Sequence, residues 1–353
     1  MLLACAAGSA VEAAEAPAPA PAARREPRSA NELTPATVRA IRKGLEYLAS
    51  SQSRDGSWSG GYGGGSAGSA AITGICGMAF LAQGNVPGRG KYARNVEQAV
   101  NWLLKCGDKT GMLHGPQVSH GSMYGHGFAT LFLAEVYGMN TDPVLGKRIR
   151  RKLHKAVRLI CQVQLESGGW WYQPSRIPGR TSDISVTICQ TMALRAARAT
   201  GINVPQKTID KAVDCVKRAA QGDGGFAYQV PERAKARGSS AFPRSAAGVC
   251  ILYGLGQHKS RETKAGGKYL LKHIEGGRNR TGHYYYGNYY AAQAMYQAGG
   301  RYWEKAWPRI RKDVLSKQGA NGAFGGGAGN NYGTGMACII LCIPYRYLPI
   351  LQR

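Results

Sequence analysis

The sequence is poor in acidic side chains, in metal-ligand patterns and in long apolar runs. It has 20 aspartates and glutamates against 46 lysines and arginines, which gives a formal net charge of +26. No run of about 20 apolar residues occurs, so the sequence predicts no membrane-spanning helix. Its nine cysteines form no Cys-x-x-Cys pair and stand beside no histidine at zinc spacing. We therefore expect neither a metal site nor a bound cofactor, and we interpret the cysteines within apolar runs as small buried side chains.

The charge indicates which partners the protein attracts. A surface this basic draws in polyanions, such as acidic polymers of a cell envelope or anionic lipid headgroups. The segment Glu232-Arg233-Ala234-Lys235-Ala236-Arg237-Gly238 is the strongest candidate for such a contact. No helix-turn-helix, zinc-finger or RNA-binding signature occurs, so nucleic acid is not an expected partner.

Residues 1–32 form a leader that differs in composition from the rest of the chain. They are rich in alanine and proline and carry no helical or strand period, which indicates an extended tether. The segment Leu2-Leu3-Ala4-Cys5 resembles a bacterial lipobox, in which the cysteine is lipidated after cleavage. Cleavage near Ala14 and an accidental leader on a cytosolic protein are the alternatives. We expect export to the periplasm or cell envelope, with Cys5 as the candidate lipidation site.

Glycine-rich turns recur along the remaining residues, 33–353. The first four, near Gly56, Gly111, Gly168 and Gly224, are spaced by 55, 57 and 56 residues, and a further turn lies near Gly322. Each turn follows a basic segment and precedes an apolar one. A period of this length indicates one supersecondary unit that is copied several times.

The segments on either side of each turn differ in polarity. Those before it carry apolar residues at intervals of three and four with a basic opposite face, typical of helices at a surface. Those after it are apolar nearly all round, so each must be covered on most sides. These inner segments are residues 72–82, 127–137, 185–196, 245–255, 289–298 and 334–343. The alternation predicts an all-α fold, a closed α/α toroid of six helical hairpins with inner and outer rings.

The turns resemble a motif of a known superfamily. Residues 52–58 read Gln-Ser-Arg-Asp-Gly-Ser-Trp, and weaker copies begin at Gln164, Gln221 and Gln318. This pattern is similar to the QW motif of squalene-hopene cyclases, whose α/α toroid is shared by protein prenyltransferases. The resemblance covers about residues 35–353 and implies this toroid, whereas a shared fold says little about activity.

The catalytic residues that the resemblance implies are absent. The Asp-x-Asp-Asp-Thr run of class II terpene cyclases corresponds to residues 183–187, Asp-Ile-Ser-Val-Thr, so Ser185 replaces the proton donor. A serine hydroxyl is far too weak an acid for that step. The Asp-x-Cys zinc motif of the prenyltransferases does not occur either. The resemblance thus implies a ligand-binding relative without inherited catalysis, with an apolar or isoprenoid-like ligand.

The N-terminal ends of the inner helices are expected to meet at one rim of the central cavity. Aligning these helices on Met192 and Met295 places six residues there at one level: Ala71, His126, Ser185, Ser245, Asn288 and Tyr332. From this ring and the tyrosine-rich fifth repeat we take the candidate ligand-binding residues, which are Ser185, Ser245, Asn288 and Tyr289. Aromatic residues at helical spacing also serve packing, so that role stays open for Tyr289.

The same rim supplies the candidate catalytic residues, His126, Asp183 and Tyr332. An imidazole, a carboxylate and a phenol can exchange protons with a substrate. A simpler role is favoured for two of them, because His126 and Asp183 both stand where a residue caps an inner helix. His114 and His120 precede His126 at intervals of six, which is too irregular for a helix-borne metal pair.

Three functions follow from these observations. The leading prediction is an exported relative of the terpene cyclases and prenyltransferases that binds a ligand in its cavity or rim. The first alternative is an enzyme with an unusual rim site, either a lipid or isoprenoid cyclase or transferase, or a polysaccharide-acting enzyme. The second is a scaffold for anionic envelope polymers. The hypothesis of an enzyme requires that His126, Asp183 and Tyr332 share one open pocket.

Overall fold

The computed structural model describes residues 32–352, apart from 62–64, 119–120 and 281. The helices within this part alternate between two rings. The outer helices are α1 (Pro35–Ser50), α3 (Ala93–Lys105), α5 (Pro143–Gln162), α7 (Gln206–Ala219), α9 (Arg261–Glu275) and α11 (Gly300–Leu315). The inner helices are α2 (Ala70–Ala82), α4 (Ser122–Met139), α6 (Ile184–Ala199), α8 (Phe242–Gly254), α10 (Tyr284–Ala298) and α12 (Asn330–Cys342). Two-residue strands, β1 (Ser182–Asp183) and β2 (Gln229–Val230), pair antiparallel beside α6. The predicted all-α toroid of six hairpins is confirmed.

The two rings follow from the two kinds of sequence segment. Helix α5 begins where Pro143 fixes the first turn and the Asp142 carboxylate accepts the Val144 N–H at 2.8 Å. In α2, by contrast, every residue from 72 to 82 is buried. Small residues let such helices approach closely, since a Cβ added at Gly77 would lie 2.5 Å from the ring of Phe132 in α4.

The ring closes between its last and first repeats. Helix α12 packs against both α1 and α2. The turn of the sixth repeat reaches the first outer helix, where Gln318 Nε2 donates to the Ala40 carbonyl at 2.9 Å. The indole N–H groups of Trp303 and Trp307 donate to the side chain and backbone of Glu32 at 2.8 and 3.0 Å. The chain is therefore a closed toroid rather than an open arc.

The glutamine of the turn joins neighbouring repeats. Gln52 Nε2 donates to the Gly56 carbonyl at 2.9 Å and to the Asn95 carbonyl of α3 at 3.0 Å. Gln164 and Gln318 repeat this two-carbonyl pattern in their own turns. Each of these turns therefore connects one hairpin to the next outer helix by hydrogen bonds.

The C-terminal segment packs against the middle inner helices. Arg195 Nη1 in α6 donates to the Ile350 carbonyl at 3.1 Å, and Gln297 Nε2 in α10 donates to the Gln352 carbonyl at 2.9 Å. The Ile350 N–H donates to the carboxylate of Glu135 at 3.2 Å. Burial raises the pKa of Glu135 to about 7. These contacts tie the tail to α4, α6 and α10.

Other sequence predictions concern the termini, the cysteines and the membrane. The leader, including Cys5, lies outside the described residues. The eight cysteines of the described part are free thiols, and six of them are buried, as expected for small apolar side chains. No helix in the described ranges is both long and apolar enough to cross a membrane.

The closing turn supplies a test of the toroid. Gly322 has a φ of +84°, and a Cβ there would lie 2.7 Å from the Lys43 carbonyl oxygen. Gly201 has a φ of +82° with nothing within 4 Å of such a Cβ. We expect Gly201→Ala to lower the free energy of unfolding by about 1 kcal/mol, the cost of the left-handed conformation alone. Gly322→Ala should cost about 2 kcal/mol more, because the contact with α1 must open.

Urea denaturation of both variants measures this difference. Equal losses of stability would mean that the sixth turn does not close against the first helix.

Candidate functional site

A hydrogen bond at the first turn of five inner helices sets the orientation of the rim. In each case a backbone N–H of the preceding glycine-rich turn donates to a side chain one turn into the helix. The acceptors are Thr73 Oγ1, His126 Nδ1, Thr187 Oγ1, Ser245 Oγ and Thr334 Oγ1, at distances between 2.9 and 3.1 Å. We refer to these bonds as the rim latches. In the fifth repeat Asn288 takes the corresponding place and bonds Asn279 instead.

The rim latches divide the predicted ring into two sets. His126, Ser245 and Asn288 occupy the latch position, whereas Ala71, Ser185 and Tyr332 lie two residues before it. Two residues rotate a helical position by about 200°, so the two sets point in different directions. A single ring of these six residues is therefore wrong. The positions that share the level of Tyr332 are Ala71, Tyr124, Ser185, Pro243, Tyr286 and Tyr332.

His126 is enclosed between the turn of its own repeat and the next outer helix, α5. Its Nδ1 accepts the Leu113 N–H at 2.9 Å, so the Nε2 carries the proton and donates to the Ala156 carbonyl at 3.2 Å. Burial lowers its pKa from 6.5 to about 4. The side chain therefore stays neutral near pH 7 and holds the second turn against α5.

Asp183 caps helix α6 and is fully buried. Its Oδ1 accepts the backbone N–H groups of Ser185 at 2.7 Å and Val186 at 3.3 Å, which satisfies two N–H groups at the helix start. Its Oδ2 accepts a hydrogen bond from the hydroxyl of Tyr172 at 2.7 Å. The Tyr172 hydroxyl oxygen in turn contacts the hydroxyl of Tyr228. Both carboxylate oxygens are therefore engaged inside the protein.

Ser185 connects this carboxylate to the rim. The Ser185 hydroxyl donates to Asp183 Oδ1 and lies 2.6 Å from the hydroxyl of Tyr124. The Tyr286 hydroxyl donates to the Ser185 backbone carbonyl at 3.1 Å. Ser185 therefore positions two rim tyrosines, Tyr124 and Tyr286, through hydrogen bonds to their hydroxyl groups.

The carboxylate fixes the direction of the hydroxyl protons of Ser185, Tyr172 and Tyr124. Asp183 only accepts, so the single protons of Ser185 and Tyr172 both point to it. The Tyr124 hydroxyl must then donate to Ser185. Any further hydrogen bond to the Tyr124 oxygen is therefore one that it accepts.

A cavity of about 120 Å³ opens among the N-terminal ends of α2, α4, α10 and α12. Apolar side chains such as Ile75, Phe128 and Met336 line part of it. Six of the larger lining residues have polar side chains, and these are Tyr124, Tyr286, Tyr332, His114, Gln117 and His283. No aspartate or glutamate of the described residues lines it.

The candidate catalytic residues do not share this cavity. Tyr332 lines it, whereas His126 and Asp183 are buried away from it. Among the candidate ligand-binding residues, Ser245 and Asn288 are occupied by their own hydrogen bonds, and Tyr289 is buried against Tyr290. Ser185 meets the cavity only through Tyr124 and Tyr286.

The rim tyrosines keep their protons at neutral pH. Burial, followed by the nearby Asp183 carboxylate for Tyr124 and the neighbouring Cys189 thiol for Tyr286, raises the pKa of both well above the usual 10. They therefore serve as hydrogen-bonding groups rather than as bases.

His283 carries backbone strain at the edge of the cavity. It precedes α10 with a φ of +58°, in the left-handed region that side chains other than glycine rarely adopt. Such conformations concentrate at functional sites. The imidazole is thereby held among the cavity-lining groups.

The described residues contain no group of three histidine, cysteine, aspartate or glutamate side chains arranged to hold a metal ion. His120 lies outside that part of the chain.

The sequence reasoning missed Tyr124, Tyr286, His114 and His283 as cavity residues. A signal for the tyrosines exists, since a tyrosine stands two residues before the latch position in the second, fifth and sixth repeats. That signal can be used only when the latch position of each inner helix is known, and this position is seen in the structure.

Comparison with known proteins finds likeness in structure only. No protein family matches the sequence, and no curated protein is similar to it. A glycoside hydrolase family 76 mannosidase from Bacteroides thetaiotaomicron gives a TM-score of 0.61 at 11% identity, over 87% of this chain and 97% of its own. An inactive α-1,6-mannanase variant from Salegentibacter, in complex with α-1,6-mannotriose, gives 0.61 at 9% identity, over 90% and 100%. A Clostridium perfringens α-amylase gives 0.60 at 9% identity, over 86% and 97%.

These likenesses establish the toroid and correct the expected family. The matched structures are glycoside hydrolases, so the assignment to the squalene-hopene cyclase and prenyltransferase superfamily is wrong. The leading function, an isoprenoid-binding relative of those enzymes, is wrong for the same reason. The QW-like turns are explained by the close approach that a ring of helical hairpins requires.

The neutral state of His126 predicts a pH dependence of stability. Because the folded protein disfavours its charged form, stability falls as the pH drops from 6.5 towards 4, by roughly 3 kcal/mol. Threonine serves the same latch in three other repeats, so His126→Thr should remove this contribution while it keeps the bond to Leu113.

Denaturation at pH 7 and pH 4 gives the stability difference between wild type and variant at each pH. That difference should shift by roughly 3 kcal/mol in favour of the variant at pH 4. A difference that is independent of pH would show that His126 is not a buried neutral group.

Proposed function

We propose that the protein binds a polysaccharide chain in the rim cavity. The observation that carries this proposal is the lining itself, with three tyrosines, two histidines and a glutamine around an apolar base. Aromatic rings pack against the C–H faces of sugar rings, and the polar atoms can meet sugar hydroxyls, as in ligand sites that combine apolar surface with a few polar groups. The matched structures support the same ligand class, since one holds α-1,6-mannotriose and another holds glucose.

The network anchored on Asp183 makes the cavity complementary to hydroxyl groups. Because its proton points to Ser185, Tyr124 offers an acceptor to the rim. Sugar hydroxyls are donors that can fill this place. Asp183 is thus a positioning residue in this proposal and not a catalytic one.

The residues of the site favour binding of a glycan rather than its hydrolysis by a pair of carboxyl groups. Glycosidases of that kind place a pair of carboxyl groups about 5 to 10 Å apart on either side of the scissile bond. The described cavity lining holds none, and both oxygens of Asp183 are engaged. The mannanase variant was inactivated at two adjacent aspartates, and this sequence has no two consecutive aspartates.

We further propose that the protein works in the cell envelope. The proposal is supported by the alanine- and proline-rich leader and by the segment from Leu2 to Cys5. Fractionation of cells that express the full chain, together with labelling by a palmitate analogue, tests it. Wild type should incorporate label in the membrane fraction, and Cys5→Ser should not. A wild-type protein in the cytosolic fraction would contradict export.

Tyr332 provides the test of glycan binding. Affinity electrophoresis in gels containing yeast mannan, glucan or polygalacturonate measures retention by each polymer. The variant Tyr332→Ala removes an aromatic side chain of the cavity, and it should weaken binding by roughly 10-fold or more. Tyr124→Phe keeps the ring and removes the oxygen, so we expect a smaller loss of roughly 3- to 10-fold. No reducing ends should accumulate in any polymer.

Tyr347→Ala is the matched control. Tyr347 is a half-buried tyrosine that stacks on Tyr345 in the C-terminal segment and does not line the cavity. It should bind as wild type does. Normal binding by folded Tyr332→Ala, or retention by none of the polymers, would contradict the proposal.

A further inference from the structure

A strip of half-buried aromatic side chains leads away from the cavity. The ring of Tyr124 lies 5.8 Å from that of Tyr172, and Tyr172 meets the edge of Trp171 at 4.8 Å. The Tyr172 hydroxyl also bonds the hydroxyl of Tyr228. We refer to Tyr124, Tyr172, Trp171 and Tyr228 as the aromatic strip. It begins at a cavity-lining residue and continues over the third and fourth repeats.

Two arginines lie on the faces of this strip. The guanidinium of Arg180 is 5.5 Å from the ring centroid of Trp171, and that of Arg244 is 5.6 Å from the ring centroid of Tyr228. Arg244 Nε also donates to the Ser239 carbonyl at 3.1 Å, which fixes its position. A stacked guanidinium is restrained in advance. In Arg244 the Nε and Nη2 groups already donate to the carbonyls of Ser239 and Phe226, which leaves Nη1 for a partner.

Neither arginine forms an ion pair with an acidic side chain of the described chain, although the nearby Asp183 carboxylate attracts Arg244 electrostatically. Two other arginines of these repeats do have such partners. Arg176 pairs with Glu166 at 2.5 Å, and Arg233 pairs with Glu232 at 3.1 Å. Arg180 and Arg244 form no ion pair within the described residues. The strip therefore presents two oriented positive charges that form no ion pair within the described residues.

The basic loop at residues 232–237 borders the strip. The Tyr228 N–H donates to the Arg237 carbonyl at 3.0 Å, and the Arg237 N–H donates to the Gln229 carbonyl at 2.8 Å. The side chains of Lys235 and Arg237 are exposed. The loop thus adds positive charge at the edge of the aromatic surface.

We propose that the aromatic strip selects glycans that carry carboxylate groups, that is, polymers containing uronic acids. The sugar ring lies on an aromatic face while its carboxylate pairs with the guanidinium of Arg180 or Arg244, a charge-assisted contact that a neutral sugar cannot make. This inference rests on the proposed function and names the substrate class of the same rim.

The experiment compares one polymer with and without its charge. The probes are polygalacturonate and the neutral polymer obtained by reducing its carboxyl groups, and calorimetry at about 0.15 M salt keeps long-range attraction screened. Wild type should bind polygalacturonate roughly 10-fold more tightly than the reduced polymer. Arg180→Gln should weaken binding of polygalacturonate roughly 3- to 10-fold and leave binding of the reduced polymer unchanged.

Arg180→Gln is the primary variant because the Arg180 side chain lies over Trp171, whereas that of Arg244 also holds the loop at Ser239. The matched control is Arg148→Gln with Arg150→Gln, two exposed positions of α5, which removes more charge at a distance from the strip. Thermal unfolding confirms that both proteins are folded.

The outcomes separate this inference from the proposed function. Equal binding of both polymers by wild type would overturn the uronate preference and leave glycan binding in place. Binding of neither, while yeast mannan or glucan still retains the protein, would overturn the uronate preference alone. Retention by none of the polymers would contradict glycan binding itself. Loss of the preference in the α5 control, or its retention in Arg180→Gln, would also overturn the inference, because overall charge or another surface would then account for it.

Discussion

The rim latches are the interactions on which the site depends. Each ties the backbone of a glycine-rich turn to one side chain in the first turn of an inner helix, for example Trp58 N–H to Thr73 Oγ1 at 3.0 Å. Because each residue turns a helix by about 100°, fixing one side chain fixes the direction of all the others. This constraint brings Tyr124, Tyr286 and Tyr332, from three separate repeats, to one cavity.

Asp183 gives the rim its polarity. A buried carboxylate that accepts from Ser185 and Tyr172 orders the protons of a network that ends at Tyr124 and Tyr228. The same side chain caps α6, so one residue fulfils both roles. Asp183 thus acts on the cavity only through this network, since the described cavity lining contains no acidic group. Both ends of this network, Tyr124 and Tyr228, also belong to the aromatic strip.

The sequence predicts the fold well because its signals are local. Apolar spacing identifies twelve helices, and the recurring glycines mark turns where backbones must approach, as at Gly322 beside Lys43. It predicts the rim poorly for a physical reason. The alignment on Met192 and Met295 uses positions inside helices that are buried nearly all round, where a shift of two residues leaves the apolar pattern almost unchanged.

The assignment of relatives had a similar weakness. In the turn motif a glutamine bridges two carbonyl groups and an aromatic residue packs on its hairpin. Both features meet requirements of the closed ring of hairpins, so the motif indicates the fold and not the family. The cap role favoured for Asp183 is the one that the structure has. The role of His126 as a latch and the location of His283 depend on contacts between segments that no local pattern displays.

The most direct measurement for this account is a crystal structure of the protein with a bound oligosaccharide. The account predicts a sugar ring against Tyr332 with a hydroxyl donating to the Tyr124 oxygen, while Thr73 and His126 keep their latch bonds. A sugar bound only on the outer helices, or inner helices rotated so that the latch residues face the cavity, would contradict it.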